Sequence, residues 1–270
     1  MPPRIAGTKA VTRALRIAGT FTDAHPEWSL AALARELGLS KPTTLRLLGA
    51  LEREGMVVRH DASGAYRLGP AAIELGARAQ RANGIAAAAR PELATLTRAT
   101  GETSSIEILS GDETVILDEV QGGHLIGTSP AVGTRWPAHA ASTGKVLLAA
   151  ALEQDPAVIR QMTRRTGGRL RRLTPRTIGT AARLTTELVR VSQQGYATAI
   201  GELELGYVAI SAPVRNHEGT VVAAVSLGGP SARCTRTRLP HLVKLVRETA
   251  ARVSRRLGFV GRSPPRSLRS

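Results

Sequence analysis

The chain has 270 residues, of which 42% are hydrophobic and 21% charged, and its formal net charge is +16 at pH 7. This composition is typical of a soluble globular protein, and we expect no membrane span because no apolar run reaches the ~18 residues that one requires. The single cysteine, Cys234, excludes an internal disulfide framework, and no Cys/His cluster has the spacing of a zinc site, so we expect no metal. The N-terminal residues lack the apolar core of a secretory signal, so we expect a cytoplasmic protein.

The excess of positive charge favours an acidic partner, and nucleic acid is the commonest such partner of a soluble protein. A composition rich in Ala and Arg, as a GC-rich genome produces, explains the same charge without any partner. Charge alone leaves both explanations open, so the decision depends on motifs along the chain.

The first part of the chain predicts helices followed by a hairpin. Apolar residues recur with helical spacing in residues 9–21, and a helix-turn-helix pair follows, with Ser40 as the N-cap of its second helix. Two short strands at 56–59 and 65–68 surround a polar turn. A helix-turn-helix followed by such a hairpin is a winged helix, and we place this domain at residues 9–69.

The exposed start of the second helix of this pair carries hydroxyl and cationic side chains, which suit phosphates and base edges in the major groove of DNA. Arginines on the hairpin would contact the neighbouring DNA backbone. The leucines of the same helix, Leu45, Leu48 and Leu51, are expected to face inward. A plain three-helix core with a solvated polar face is the alternative. The residues predicted to contact DNA are Ser40, Lys41, Thr43, Thr44, Arg46, Arg59 and Arg67.

The rest of the chain predicts a linker and a larger domain. Residues 70–84 read as a linker helix, and residues 85–258 read as hairpins of strands with helices between them and at the ends. This order predicts an α+β domain with an antiparallel sheet. The basic run Arg164–Arg176 is expected to be a solvated loop, with a second DNA-contacting surface as the alternative. The tail, 259–270, is rich in Pro, Ser and Arg and is expected to be disordered.

The stretch HAASTGKVLL, which begins at His139, contains a Gly-Lys pair like that of a phosphate-binding loop. Such a loop needs a glycine separated by four residues from its Gly-Lys pair, and a Ser or Thr directly after it. His139 and Val146 occupy these two positions, so no ATP site is predicted. A helix start with free N–H groups still attracts an anion.

Two other function classes are weighed. An enzyme is disfavoured because the chain has no GxSxG motif, and because His139 and His241 lie on unrelated elements. We therefore expect no catalytic residues and no cofactor. A DNA-architectural protein without a ligand would explain the charge, but it would not explain the large second domain.

Three segments, in this order and spacing, resemble the IclR family of bacterial transcription regulators. They are VTRALRIAGTF with the winged helix that ends in YRLG, then GTRWPAHAASTGKVLL, and then GYATAIGELELGYVAISAPVRNHEGTVVAAVSLGGPSAR. The resemblance covers about residues 9–258. It implies a winged helix that binds double-stranded operator DNA, and a GAF-like α+β domain that senses a small molecule. It also implies a homodimer or homotetramer that represses or activates transcription, with Pro70–Ala82 as the dimerising linker.

The same resemblance places the effector against the helix start in HAASTGKVLL, where backbone groups would meet a carboxylate. Gly228 and Ala209 stand where some relatives have a pocket serine and a cysteine. Fewer polar anchors and more room suggest a ligand that is bulkier or less polar than glyoxylate or pyruvate. Helix capping and structural pairing remain alternatives for the polar residues. The effector-binding residues that the resemblance implies are Leu125, Thr128, Trp136, Ser142, Thr143, Gly144, Glu202, Ala209, Ser226 and Gly228.

Overall fold

The structure is a computed structural model, and it describes residues 8–22, 25–82, 84–124 and 132–260. The chain divides into two compact units, with the boundary directly after Ala82. We call them the N-terminal unit and the C-terminal unit. Across the described ranges, no helix is both long and apolar enough to cross a membrane.

The N-terminal unit is a winged helix-turn-helix, as predicted. Ser29 and Ser40 each accept a hydrogen bond from a backbone N–H in the first turn of the helix that follows. The two strands of the wing pair antiparallel, and Trp28 adds a bridge to Tyr66. The elements are α1 (Lys9–Ala18), α2 (Leu30–Glu36), α3 (Lys41–Arg53), β1 (Val57–Arg59), β2 (Tyr66–Leu68) and α4 (Pro70–Ala82).

Two helices of this unit expose apolar side chains to solvent. Leu45 on α3 is 50% exposed, so the expectation that it faces inward is wrong, because Leu47 and Leu48 take the core positions. On α1, Val11 and Leu15 are 60% and 65% exposed and form an outer apolar stripe. The core of the unit consists of Ile17, Phe21, Leu33, Leu47, Leu48, Val57 and Tyr66.

The C-terminal unit is an antiparallel sheet with helices on both faces, and the predicted α+β class is confirmed. The sheet has the strand order β5-β4-β3-β8-β7-β6. Its strands are β3 (Thr103–Ser110), β4 (Glu113–Val120), β5 (Arg135–Pro137), β6 (Ala197–Ile200), β7 (Tyr207–Arg215) and β8 (Val221–Pro230). The helices are α5 (Gly84–Thr100), α6 (Ser142–Gln154), α7 (Val158–Met162), α8 (Ala181–Gln194) and α9 (Leu239–Arg256).

Alternation along the strands gives the sheet two faces with different partners. Ile210 and Val225 belong to the core that α5 and α9 cover, together with Val246 of α9. Ala197 and Ala224 belong to a second core, formed with α6 and α8. We call this second side the α6 face, and the candidate ligand site lies on it.

Candidate functional site

The first candidate site is the exposed surface around the start of α3 and the β1–β2 wing. Its lysine and arginines have no carboxylate partner in the described part of the chain, so they are available to DNA phosphates. Arg59 lies over the ring of Tyr66, 5.9 Å from the ring centroid, and this aromatic surface orients its guanidinium. The exposed members of the predicted set are Ser40, Lys41, Arg46, Arg59 and Arg67, and Thr43 is half-buried.

Thr44 does not belong to this surface. It is 0% exposed, and its hydroxyl donates a hydrogen bond to the Ser40 carbonyl at 3.1 Å. A side chain packed beneath the first turn of α3 cannot reach DNA, so the prediction that Thr44 contacts DNA is wrong. The neighbouring Leu45 is exposed instead, and an apolar side chain beside Arg46 suits a thymine methyl group. Sequence reasoning missed Leu45 because a leucine in an amphipathic helix is normally assigned to the core.

The second candidate site is the start of α6. Its N-cap, Ala141, makes no side-chain hydrogen bond, and the first bond of the helix runs from the Lys145 N–H to the Ala141 carbonyl. The N–H groups of Ser142, Thr143 and Gly144 therefore have no acceptor among the residues that the structure describes. Together with the helix dipole, three such groups attract an anion.

The hydroxyl groups at the start of α6 hold the helix against the sheet. Ser142 Oγ lies 2.6 Å from Ser211 Oγ on β7. Thr143 Oγ1 donates to Glu107 Oε2 on β3 at 2.6 Å, and Ser105 Oγ donates to the other oxygen of Glu107 at 2.9 Å. Burial raises the pKa of Glu107, which is 5% exposed. These side chains position the α6 backbone, so the N–H groups rather than the hydroxyls are available for an anion.

The Gly-Lys pair after these hydroxyls has a packing role. A Cβ atom on Gly144 would lie 2.1 Å from the Ala138 carbonyl oxygen, so only glycine allows this close approach. Lys145 is 1% exposed, and its Nζ donates to Glu202 Oε1 at 2.6 Å and to the Thr198 carbonyl at 3.0 Å. The pair therefore fastens α6 to the β6 end of the sheet.

Glu202, which the resemblance assigns to the effector, is thus first the ion-pair partner of Lys145. Burial raises the pKa of Glu202, and the nearby Lys145 ammonium opposes that shift. Its second carboxyl oxygen is buried and has no hydrogen-bond partner within the described ranges. One oxygen of Glu202 consequently remains able to meet a ligand.

A row of polar side chains crosses the α6 face of the sheet. Ser105 on β3 lies opposite Glu119 on β4 and opposite Ser226 on β8, and Ser226 lies opposite Ser211 on β7. Directly opposed residues of antiparallel strands point to the same face. Ser226 is 7% exposed, and its hydroxyl has no partner in the described part of the chain. The predicted Ser226 therefore lies one strand from Ser211, which contacts the start of α6.

Gly228 and Ala209 lie opposite each other in the next row of the same face. The expectation of extra room at Gly228 is wrong, because a Cβ atom there would lie 1.8 Å from the Tyr207 hydroxyl oxygen. The phenol of Tyr207 fills this space and brings a polar group to it. Tyr207 was not predicted to belong to the site, since a tyrosine at the start of a strand is usually a packing residue.

The remaining predicted wall residues are not brought together with this row. Trp136 lies on the edge strand β5, opposite Thr114 and three strands from Ser226 in the sheet order. Leu125 and Thr128 fall outside the described residues.

His139 and the basic run after α7 form a separate structural feature. His139 Nε2 lies 2.8 Å from the Arg171 carbonyl, and burial lowers the pKa of this imidazole, which favours its neutral form. The run Arg164–Arg176 is further held by Thr174, whose hydroxyl donates to the Gly201 carbonyl at 2.6 Å. It is therefore an ordered loop whose described arginines are exposed.

Comparison with known proteins identifies the domain that carries each candidate site. The IclR helix-turn-helix domain matches residues 10–61, and the bacterial transcriptional regulator IclR C-terminal domain matches residues 77–255. The chain belongs to the IclR family of bacterial transcriptional regulators. The suspected family is confirmed, and the protein is a DNA-binding transcription regulator rather than an enzyme.

Similar IclR-family proteins span almost the whole chain. The regulator XynR of Escherichia coli is 31% identical over 93% of this chain and 98% of its own length. BhcR of Paracoccus denitrificans is 32% identical over 92% of this chain and 87% of its own. Among solved structures, a regulator from Alicyclobacillus acidocaldarius is 30% identical with a TM-score of 0.79, and covers 92% of this chain and 98% of its own.

Proposed function

We propose that this IclR-family regulator binds operator DNA through its winged helix and that a small organic acid or aromatic compound, bound on the α6 face, changes that binding. One observation carries the proposal. The chain combines exposed cations on a winged helix with N–H groups at the start of α6, in a separate unit, that have no acceptor among the described residues. A protein that only coats DNA needs the first feature and has no use for the second.

The DNA-binding half of the proposal rests on the chemistry of the exposed surface. Ser40 and Lys41 lie at the positive end of the α3 dipole, where a phosphate is favoured. Arg46 follows one turn later and is able to pair with a guanine edge. Arg59 and Arg67 lie on the wing and would contact the adjacent backbone. The net charge of +16 adds attraction at long range.

The ligand half rests on the polar groups around the α6 start. A carboxylate there would accept hydrogen bonds from the N–H groups of Ser142, Thr143 and Gly144, and from the Ser226 hydroxyl. An IclR homologue from Microbacterium hydrocarbonoxydans, 24% identical with a TM-score of 0.77, is complexed with 4-hydroxybenzoate. That protein shares the fold, so an aromatic acid is a reasonable first probe.

Assembly into a homodimer or homotetramer is part of the proposal. The outer stripe of α1 exposes Val11 and Leu15, and the predicted dimerising linker α4 exposes Ile73 and Leu75, which are 73% and 52% accessible. Apolar side chains concentrated on two helices of a small unit favour contact with a second copy.

Fluorescence anisotropy with labelled DNA from the region upstream of the gene tests this function. We expect binding that survives an excess of random competitor DNA, and a change in affinity of about fivefold or more when the right acid is added. Glyoxylate, pyruvate and 4-hydroxybenzoate form the first panel. Complete loss of binding to random competitor, at every salt concentration, would instead indicate an architectural DNA-binding protein.

A further inference from the structure

The polar row on the α6 face ends at Glu119, and one oxygen of its carboxyl group lacks a hydrogen-bond partner among the described residues. Glu119 Oε2 is buried and has no hydrogen-bond partner among the described residues. The neighbouring Asp118 points to the opposite face, where Arg90 pairs with it at 2.6 Å. A buried carboxyl oxygen without a partner destabilises a protein, and a ligand that donates a hydrogen bond to it would remove that cost.

Glu119 lies in the same polar row as Ser226, on the face of the sheet that the start of α6 contacts. Ser226 lies two strands away along the same row, and neighbouring strands are about 4.8 Å apart, so roughly 10 Å separate the two residues. Ser226 itself is nine-tenths buried and without a partner in the described part of the chain. The row therefore joins the Ser226 hydroxyl and the unpartnered Glu119 oxygen at a distance that one small aromatic molecule spans.

We propose that Glu119 is a specificity residue of the effector site, and that it accepts a hydrogen bond from a hydroxyl or ammonium group at the far end of a ligand whose carboxylate lies at the start of α6. The inference rests on the proposed function and narrows its ligand class. The effector is a carboxylic acid with a hydrogen-bond donor at the opposite end.

The charges around Glu119 favour a donor over an acceptor. Glu107 from β3 adds a second carboxyl group to this face, and both of its oxygens already accept hydroxyl hydrogen bonds. Lys145 is held by Glu202, and Arg90 from α5 bonds the Glu119 carbonyl and Asp118 on the other face. No described cation therefore neutralises the Glu119 carboxyl group, and a ligand donor would.

The same donor makes binding depend on pH. Burial raises the pKa of Glu119 to about 7, a hydrogen bond with Gln121 opposes this, and the carboxyl groups of Glu107 and Asp118 add to it. A ligand donor stabilises the ionised form and lowers the Glu119 pKa in the complex. Affinity should therefore rise with pH towards 7 and level off above it, whereas a ligand acceptor would give the opposite trend.

Calorimetric titration of the full-length protein tests the inference. The probes are 4-hydroxyphenylacetate, its methyl ether 4-methoxyphenylacetate, and 4-(aminomethyl)phenylacetate, each at pH 6 and pH 8. We expect the hydroxyl or the ammonium compound to bind about tenfold tighter than the ether, and tighter at pH 8 than at pH 6. The tighter of the two identifies which donor the site takes.

Variants assign the effect to the side chain. Glu119→Gln should abolish the pH dependence, and Glu119→Leu should abolish the preference over the ether. Glu113→Gln is the matched control, because Glu113 lies on the same strand and pairs with Arg135 at the surface. Circular dichroism checks that each variant folds. If the Leu variant does not fold, the Gln variant by itself decides the test.

The outcomes separate this inference from the proposed function. Equal binding of all three probes, or a Glu119→Gln variant that keeps the pH dependence, overturns the role of Glu119. The proposed function survives that result if any of these acids still changes operator affinity. If no acid binds the wild-type protein, the inference is overturned as well.

Discussion

Gly228 leaves room for a tyrosine from the neighbouring strand, whose hydroxyl occupies the space that a side chain at position 228 would take. Gly228→Ser would place new atoms against the Tyr207 hydroxyl, which lies 1.8 Å from the Cβ position. We expect the free energy of unfolding to fall by about 1–3 kcal/mol, as for other overpacked sites, when measured by urea denaturation. Gly123→Ser, where no atom lies within 4 Å of the new Cβ, is the control and should change little.

The double variant tests the cause. In a Tyr207→Val background, Gly228→Ser should cost less than in the wild type, because the phenol that it meets has gone. Equal costs in both backgrounds would contradict a clash with Tyr207.

Lys145 is a buried cation whose removal leaves the Glu202 carboxylate without a cationic partner, whereas Glu187 still pairs with Arg190. Its Nζ lies 2.6 Å from Glu202 and 3.6 Å from Glu187, and its side chain is 1% exposed. Lys145→Met should therefore lower the free energy of unfolding by about 3–5 kcal/mol. Lys244→Met is the control, because its side chain is 71% exposed and its loss should cost less than about 1 kcal/mol.

The sign of the pH dependence follows from Glu202. Burial already raises the pKa of Glu202, and loss of the Lys145 charge raises it further. A carboxyl group whose pKa is higher in the folded than in the unfolded protein destabilises the fold as pH rises through that interval. The loss in the free energy of unfolding caused by Lys145→Met should thus be smaller at pH 5 than at pH 8, as measured by urea denaturation. An equal loss at both pH values would argue against Glu202 as the affected group.

Part of the candidate site was predictable from the sequence and part was not. The resemblance to the IclR family pointed to Ser142 and Thr143, whose place at a helix start is a local feature of the chain. Glu107 and Glu119 were not, because their common face depends on strand register, which shifts at the bulge between Ile106 and Glu107. Tyr207 was missed for a similar reason, since its approach to Gly228 depends on the pairing of β7 with β8.

At the scale of elements, α1 offers the clearest test of self-association. Leu15 is 65% exposed on a helix whose inner side already fills the core of the unit. If a second copy covers this stripe, Leu15→Glu should shift sedimentation velocity towards the monomer, because burying an unpaired charge at an interface is costly. Leu205→Glu is the control, as Leu205 is 59% exposed in the other unit. An unchanged oligomer in the Leu15 variant would remove α1 from the interface.

Helix α3 presents Arg46 on its exposed side, one turn after the helix start. If the guanidinium reads a base, Arg46→Ala should weaken operator binding by about 1–3 kcal/mol in anisotropy titrations. Binding to random DNA should change much less. The control Arg183→Ala removes the same charge from α8 in the other unit. Equal losses on operator and random DNA would show that Arg46 contacts only phosphate.

The elements themselves were predicted where their signals are local. Ser40 marked the start of α3 correctly, because an N-cap acts within four residues. The bridge between Trp28 and Tyr66 and the short edge strand β5 were missed. Both depend on pairing between segments far apart in sequence, which short-range periodicity does not encode.

For the whole molecule, the central question is whether ligand binding in the C-terminal unit is thermodynamically coupled to operator binding in the N-terminal unit. If an acid on the α6 face weakens operator binding by some factor, the operator must weaken acid binding by the same factor. We expect a coupling of about 5–150-fold, measured once by anisotropy with and without the acid and once by calorimetry with and without the operator. Ser226→Ala should weaken binding of the acid. It should not change the affinity for the operator measured in the absence of acid, because Ser226 lies in the C-terminal unit. Unequal factors would show that the acid acts on a species other than the DNA-bound protein, such as a dissociated protomer.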